Sequence, residues 1–191
     1  MRYFKKLIGD KCYLSPINID DYEKYAEWLN DFNVVKYLSL APELITLDKE
    51  KKIIERLADS DDKIFGIISI EDDKLIGNVG LHNINYINRR AMLGIFIGEI
   101  KKQNQGIGQD AIELILDFGF NLLNLNSIYL YCLDFNKKAK KCYINCGFRE
   151  VGRYRESRII NGEKFDGVIM DILSSEFKGK YIKKAMEDSN D

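Results

Sequence analysis

From position 95 the chain reads Ile95-Phe96-Ile97-Gly98-Glu99-Ile100-Lys101-Lys102-Gln103-Asn104-Gln105-Gly106-Ile107-Gly108. An apolar, β-like run stops, a polar loop with closely spaced glycines follows, and an amphipathic helix begins. The first turn of a helix offers unpaired N–H groups and the positive end of its dipole. Glycine lets backbone approach a ligand and turns successive N–H groups into one concavity. The chemistry this suits is binding of a phosphate or diphosphate. The nucleoside triphosphate loop does not fit, because Gly108 is followed by Gln109-Asp110 and not by Lys-Ser/Thr. The dinucleotide fingerprint does not fit either, since Gly106-x-Gly108 lacks its third glycine. The glycine spacing alone leaves an ordinary turn equally open.

Other reactive side chains are sparse. The single histidine, His82, sits near the end of a β-like run that could border a site, although a lone strand histidine more often serves structure. The four cysteines, at 12, 132, 142 and 146, form no C-x-x-C pair, so a Cys/His zinc site is not expected. Cys142 and Cys146 lie one helical turn apart and read as small core residues in a reducing cytosol.

Several elements must position these residues. Positions 12–17 read as a strand ending at Pro16, and 20–30 as a helix with Tyr22, Tyr25, Ala26 and Leu29 on one face. Thr46 is a candidate cap for a second helix reaching Ala58. Two strands, 64–70 and 74–84, flank the acidic turn Glu71-Asp72-Asp73. A third strand at 90–98 leads into the loop, and the following helix, 107–123, has Ile107, Ala111, Leu114, Ile115, Phe118 and Leu122 on one side. A strand at 127–133 precedes a short helix capped by Asn136 and stopped near Gly147, with Ala139, Cys142, Tyr143 and Cys146 on one face. The segments 153–160 and 164–173 flank Asn161-Gly162, a strong hairpin signal. The expected class is α+β or mixed α/β. Residues 1–177 read as one domain and 178–191 as a loosely attached tail, because the apolar pattern fades there.

Composition narrows the function. The 191 residues are 46% hydrophobic and 31% charged, the profile of a folded globular chain. Twenty-nine basic against thirty acidic residues give a net charge of −1, which offers no gross case for nucleic acid. No apolar run approaches the roughly 20 residues of a membrane span. The start has no continuous apolar segment or cleavage site, so no secretory signal is read there, and a cytoplasmic protein is expected.

Gln103-x-x-Gly106-x-Gly108 resembles the Q/R-x-x-G-x-G/A pattern of the GNAT superfamily of N-acetyltransferases. Downstream, Asn136-x-x-Ala139-x-x-x-Tyr143-x-x-x-Gly147-Phe148 is similar to the family's second block. Trp28-Leu29-Asn30-Asp31, Tyr37-Leu38, Gly152-x-x-Arg155 and Asn161-Gly162 resemble the ribosomal-protein N-terminal and spermidine acetyltransferase subfamilies. The likeness covers about residues 10–173, and the two blocks in order carry it.

The resemblance implies a central, mostly antiparallel twisted sheet of about seven strands, splayed at the cofactor site and flanked by about four helices. It implies acetyl-CoA as donor and no metal. The diphosphate contacts would come from the backbone of Gln103, Asn104, Gln105, Gly106, Ile107 and Gly108, with Gln109 just beyond. The pantetheine arm would pair with Ile95, Phe96 and Ile97, and Asn136 and Ala139 would also meet the cofactor. Many relatives carry Gly where Asn104 stands, and Asn fits with a negative φ or in the left-handed region. Tyr143 matches the general-acid Tyr. A phenol of pKa about 10 can donate to or hydrogen-bond a departing thiolate of pKa near 8.5 without itself being ionised at rest.

The base is not readable. His82, Glu99 and loss of the proton to water all stay open. The acceptor is a primary amine: a protein N-terminus or small amine, with a polyamine, amino sugar or aminoglycoside as alternatives. Its contacts would come from residues 28–44 and the last hairpin, where Asp31, Glu43 and Glu156 could attract a cation. Lys101, Lys102, Lys137, Lys138, Lys140 and Lys141 could meet CoA phosphates or simply face solvent. A non-catalytic acyl-CoA-binding module is the reading of another class, and the intact Tyr143 counts against it. Exposed edge strands leave a homodimer open.

Overall fold

The structure, a computed structural model, describes residues 2–38 and 41–187. Period-two alternation divides its strands between two cores. Cys12 and Leu14 enter one and Tyr13 the other, as successive strand side chains must. Among the described residues, eight strands form one open sheet: β1 (Leu7–Ile8), β2 (Cys12–Pro16), β3 (Lys63–Ser69), β4 (Leu75–Asn85), β5 (Arg90–Ile97), β6 (Ser127–Leu133), β7 (Arg149–Ile160) and β8 (Glu163–Leu173). Their spatial order is β1-β2-β3-β4-β5-β6-β8-β7. Neighbours in this sheet are antiparallel except β5 and β6, which run parallel.

The described residues also contain six α-helices: α1 (Tyr22–Leu29), α2 (Phe32–Val35), α3 (Leu47–Ala58), α4 (Ile107–Asn121), α5 (Lys137–Asn145) and α6 (Tyr181–Glu187). Parallel strands need a crossover, and α4 supplies it between β5 and β6. This helix is buried on most sides. Its Leu114 and Ile115 lie in the larger core with Leu81 of β4, Ala91 of β5 and Ile128 of β6. The opposite face of the sheet is covered by α1–α3, whose Tyr25, Trp28 and Ile54 pack with Tyr13 and Ile68, joined by Phe96 of β5. None of the helices formed by the described residues is long and apolar enough to cross a membrane.

The mostly antiparallel α/β architecture and most boundaries agree with the sequence reading. Thr46 caps α3 by accepting from Lys49 N–H at 3.2 Å. Asn161 and Gly162 both have positive φ, 51° and 78°, as a two-residue hairpin turn requires. The elements beyond the expected set are short: β1 has two residues and α2 four, too few for a period to show. The expected helix at 20–30 opens with a 3₁₀ turn, Ile19–Asp21, before α1 begins. The stretch set apart as a tail contains α6. Its first residue, Tyr181, is half-buried on α4, Lys183 and residues 185–187 are exposed, and 188–191 lie outside the described residues.

Candidate active site

The parallel pair β5/β6 stays in register for three positions only: Arg90–Ser127, Ala91–Ile128 and Met92–Tyr129. Beyond Met92, β5 remains bonded to β4 as far as Ile97. Beyond Tyr129, β6 remains bonded to β8 as far as Leu133. The two strands are therefore pulled apart by their outer neighbours. A gap opens in mid-sheet, with the backbone of 93–97 on one side and 130–133 on the other. Unpaired strand edges are templates for an extended ligand.

The gap runs toward the loop singled out in the sequence. After β5, Gly98 and Glu99 both donate to Ile76 O, at 2.9 and 3.1 Å. A 3₁₀ turn, Ile100–Lys102, follows. The Gln103 side chain reaches back to donate to Ile97 O at 2.9 Å, fixing the loop to the strand end. Asn104 and Gly106 then adopt left-handed backbone, φ 60° and 82°. Asn is among the side-chain-bearing residues that enter this region most readily, so the Asn104 departure from Gly is accommodated. Among the described residues, the N–H groups of 104–109 have no hydrogen-bond acceptor. The helical ladder resumes with Asp110 N–H to Gly106 O at 3.1 Å. Six consecutive unpaired donors at a helix start form an anion cradle.

Three residues that the sequence reading passed over hold this cradle. Lys11, in the turn between β1 and β2, donates its ammonium to Gln105 O at 2.5 Å. Gln105 O and Gly106 N–H belong to one planar trans peptide and point in opposite directions. Drawing the carbonyl toward Lys11 therefore turns the Gly106 N–H outward. Asp110, 6% exposed, accepts the backbone N–H groups of Asp10, Lys11 and Cys12 at 3.2, 2.8 and 3.0 Å. It also accepts the Tyr181 hydroxyl at 2.7 Å. Burial pushes the Asp110 carboxyl up, but these donors outweigh it and hold it below its ordinary 3.8.

The second expected block lies against the first. Asn136 caps α5, its Oδ1 accepting from Ala139 N–H at 3.2 Å. Cys146, just past α5, places Sγ 3.9 Å from Gln109 O in the first turn of α4. Tyr143, one turn earlier, shares the larger core and is 8% exposed. Its ring meets Phe148 edge-on at 6.0 Å. Its hydroxyl has no hydrogen-bond partner among the described residues. Burial, and then the neighbouring thiols of Cys132, Cys142 and Cys146, hold its phenol well above the ordinary range. The phenol is protonated, and its hydrogen has no internal acceptor among the described residues.

Other expected residues are engaged elsewhere. Lys102 pairs with Glu71 at 2.6 Å and Lys140 with Glu150 at 2.5 Å. Asp31 caps α2, Glu43 pairs with Lys49 at 2.8 Å, and Glu156 pairs with Lys164 at 2.6 Å. Those three acids serve local structure. Residues 39 and 40, within the expected acceptor stretch, lie outside the described residues.

The profile of the acetyltransferase (GNAT) domain matches residues 11–149 of the chain. The chain belongs to this family. A spermidine N(1)-acetyltransferase of Vibrio cholerae serotype O1 is 40% identical over 99 residues, covering 52% of this chain and 57% of that protein. A putative ribosomal N-acetyltransferase of Bacillus subtilis is 28% identical over 102 residues, covering 53% and 55%. These alignments span little more than half the length of the curated relatives. The solved spermidine N-acetyltransferase from Vibrio cholerae in complex with CoA and spermine is 31% identical. It covers 86% of this chain and 96% of that one, with a TM-score of 0.78.

The GNAT assignment accounts for the gap and cradle being built together. The unpartnered N–H groups and the open β5 edge fit an extended thioester ligand with a diphosphate at its far end. What sequence alone could not reveal is the scaffold behind the loop. Asp110 looks like an ordinary acid in a first helical turn, and Lys11 like a surface lysine, until the β1–β2 turn is laid against them.

Proposed function

We infer that the protein is an acetyl-CoA-dependent N-acetyltransferase acting on a primary amine. One observation carries the reading: a mid-sheet gap between parallel strands leads directly to a helix start with six unpaired backbone donors. Acetyl-CoA supplies the activated acetyl thioester. The N–H groups of 104–109 bind its diphosphate, and the residue 93–97 edge of β5 orients the arm. Asn136, with its carbonyl spent on the cap, retains its amide N–H groups for the same arm, and Ala139 packs beside it. Tyr143 donates its hydroxyl proton to the sulfur as it departs. Burial keeps the phenol protonated at neutral pH, so it enters the reaction with a hydrogen to donate.

Among acceptors, polyamines come first. Both relatives match about half of this chain by sequence, but the spermidine N(1)-acetyltransferase is 40% identical there and the putative ribosomal enzyme 28%. A protein N-terminus is the second acceptor to test. The acetyltransferase domain is read as 1–177. The four unpaired cysteines fit a reducing cytoplasm. A homodimer finds support in β7, an edge strand exposed along most of its length; sedimentation of the pure protein decides between one copy and two.

The test is thiol release from acetyl-CoA with spermidine, a peptide with a free N-terminus, and an aminoglycoside. Turnover with spermidine above the others supports the reading. Tight CoA binding without release from any amine would favour a non-catalytic acyl-CoA-binding module.

A further inference from the structure

An aliphatic amine near neutral pH carries a proton that must leave before nitrogen can attack. The sequence offers no obvious base, but the structure gathers several unusual features around His82. This residue lies in β4 directly opposite Met92, the last β5 residue paired with β6. The imidazole extends over Gly94, the second β5 residue past that point. A Cβ at Gly94 would come within 3.0 Å of His82 Nε2, so glycine leaves the ring its room. His82 therefore stands one strand away from the point where the gap opens, with its ring over Gly94 of the β5 edge.

Its neighbours Leu81 and Leu93 face the core beneath α4, as Tyr143 does. Alternation puts His82 on the opposite face, with α1–α3. An acetyl group held in the gap would thus have the Tyr143 side on one face and the His82 side on the other.

The ring is aimed by its surroundings. His82 Nδ1 lies 3.1 Å from Asp62 Oδ2, and the other oxygen of Asp62 accepts Asn83 N–H at 3.0 Å. In the neutral ring, the tautomer that donates Nδ1–H to this carboxylate leaves the Nε2 lone pair free. The β4/β5 register shifts between His82 and Asn85, and Asn83 has φ 51°. Bulges of this kind re-aim side chains and gather beside active sites. Of the charged groups next to the ring, Asp62 is its partner, and Lys63 of β3 is turned to Asp61 O at 2.7 Å.

We propose that His82 is the general base of acetyl transfer and that Asp62 is its positioning residue. The proposal rests on the acetyltransferase reading. His82 Nε2 first takes the ammonium proton and passes it to water; then, as the nitrogen–carbon bond forms and the carbon–sulfur bond breaks, the second proton that the nitrogen must lose also passes to Nε2. The sulfur takes the Tyr143 proton. His82 then releases its proton to water, and Tyr143 regains one from water.

The test compares full-length His82→Gln and Asp62→Asn with the wild type. Thiol release is followed with spermidine from pH 7 upward, and CoA affinity is measured by calorimetry. His82→Gln is expected to lose about 100-fold in kcat at neutral pH and Asp62→Asn about tenfold. Both should bind CoA as the wild type does. The His82→Gln deficit should narrow as pH approaches the amine's own pKa of about 10, where a base becomes dispensable. A purely structural histidine would give a deficit that does not close with pH, and that result overturns the proposal. So does kcat within twofold of wild type, or loss of CoA binding in His82→Gln. Wild type that binds CoA but acetylates no amine overturns the acetyltransferase reading itself, and this proposal with it.

Discussion

The Tyr181 hydroxyl donates to the Asp110 carboxylate at 2.7 Å across 71 positions of sequence. The same carboxylate accepts three successive backbone N–H groups from the β1–β2 turn. The start of α6, the β1–β2 turn and the first turn of α4 therefore meet at one buried acid. Tyr181→Phe removes a single hydroxyl from this junction. It is expected to cost about 1–2 kcal/mol, a fall of roughly 2–8 °C in melting temperature for a chain of this size. Asp110→Asn should cost more, since the amide offers one acceptor oxygen and brings unmatched donors. Calorimetric melts decide; an unchanged midpoint for both variants would contradict the junction.

Acid sensitivity follows from the same residue. The folded-state pKa of Asp110 is depressed, so its contribution is present above the unfolded value of 3.8 and is lost as pH falls through the folded value. Wild type should lose stability steeply below about pH 4, and Asp110→Asn should show a shallower acid limb. Denaturant titrations between pH 2 and 6, roughly the span of carboxylate titration, measure this.

Glu50 of α3 has the opposite sign. It is 1% exposed, and its Oε2 has no partner among the described residues. Burial raises its carboxyl above 4.5, with Lys49 opposing only in part. The folded state holds this proton where the unfolded chain releases it, so stability falls as pH climbs from the unfolded value through the folded one. Glu50→Gln is expected to exceed wild type by about 1 kcal/mol at pH 8 and to match it near pH 4. The difference between melts at those two pH values is the measurement, and an equal gain at both would point to packing instead.

Tyr143→Phe deletes a hydroxyl that bonds to nothing among the described residues, so stability should change by less than about 0.5 kcal/mol. If the hydroxyl protonates the leaving sulfur, kcat should fall by about 100-fold while KM for acetyl-CoA stays near wild type. Unchanged turnover removes Tyr143 from the chemistry.

Lys11→Met should raise KM for acetyl-CoA by about fivefold and leave KM for the amine alone, because the Gln105–Gly106 peptide loses the charge that orients it. Lys11→Arg should restore most of the affinity. Gly106→Ala should do greater harm, since φ of 82° disfavours any Cβ. Asn104→Gly, at φ 60°, should be close to neutral. A Lys11→Met enzyme with unaltered KM would show that the ammonium does not hold the loop.

Legibility followed the reach of each interaction. Local signals were readable: the Asn161-Gly162 turn, the Thr46 and Asn136 caps, and the strand–loop–helix around Gly106 each depend on a few adjacent residues. The two motif blocks could be read in order, but their contact through Cys146 and Gln109 is tertiary. Lys11, Asp62 and Tyr181 carried no local mark, since each acts on a residue 20 or more positions away. His82 was visible only as a lone histidine; the bulge that aims it and the glycine that admits it required the sheet.

The most direct measurement of the central claim is the thermal stability of the wild-type protein with acetyl-CoA, CoA, ATP and NAD, each in excess. A ligand at a hundredfold its Kd adds about 2.7 kcal/mol to the folded state. Acetyl-CoA and CoA should raise the midpoint by several degrees, with ATP and NAD well behind. A shift with ATP or NAD and none with either CoA species would contradict the assignment of the 104–109 cradle and the mechanism built on it.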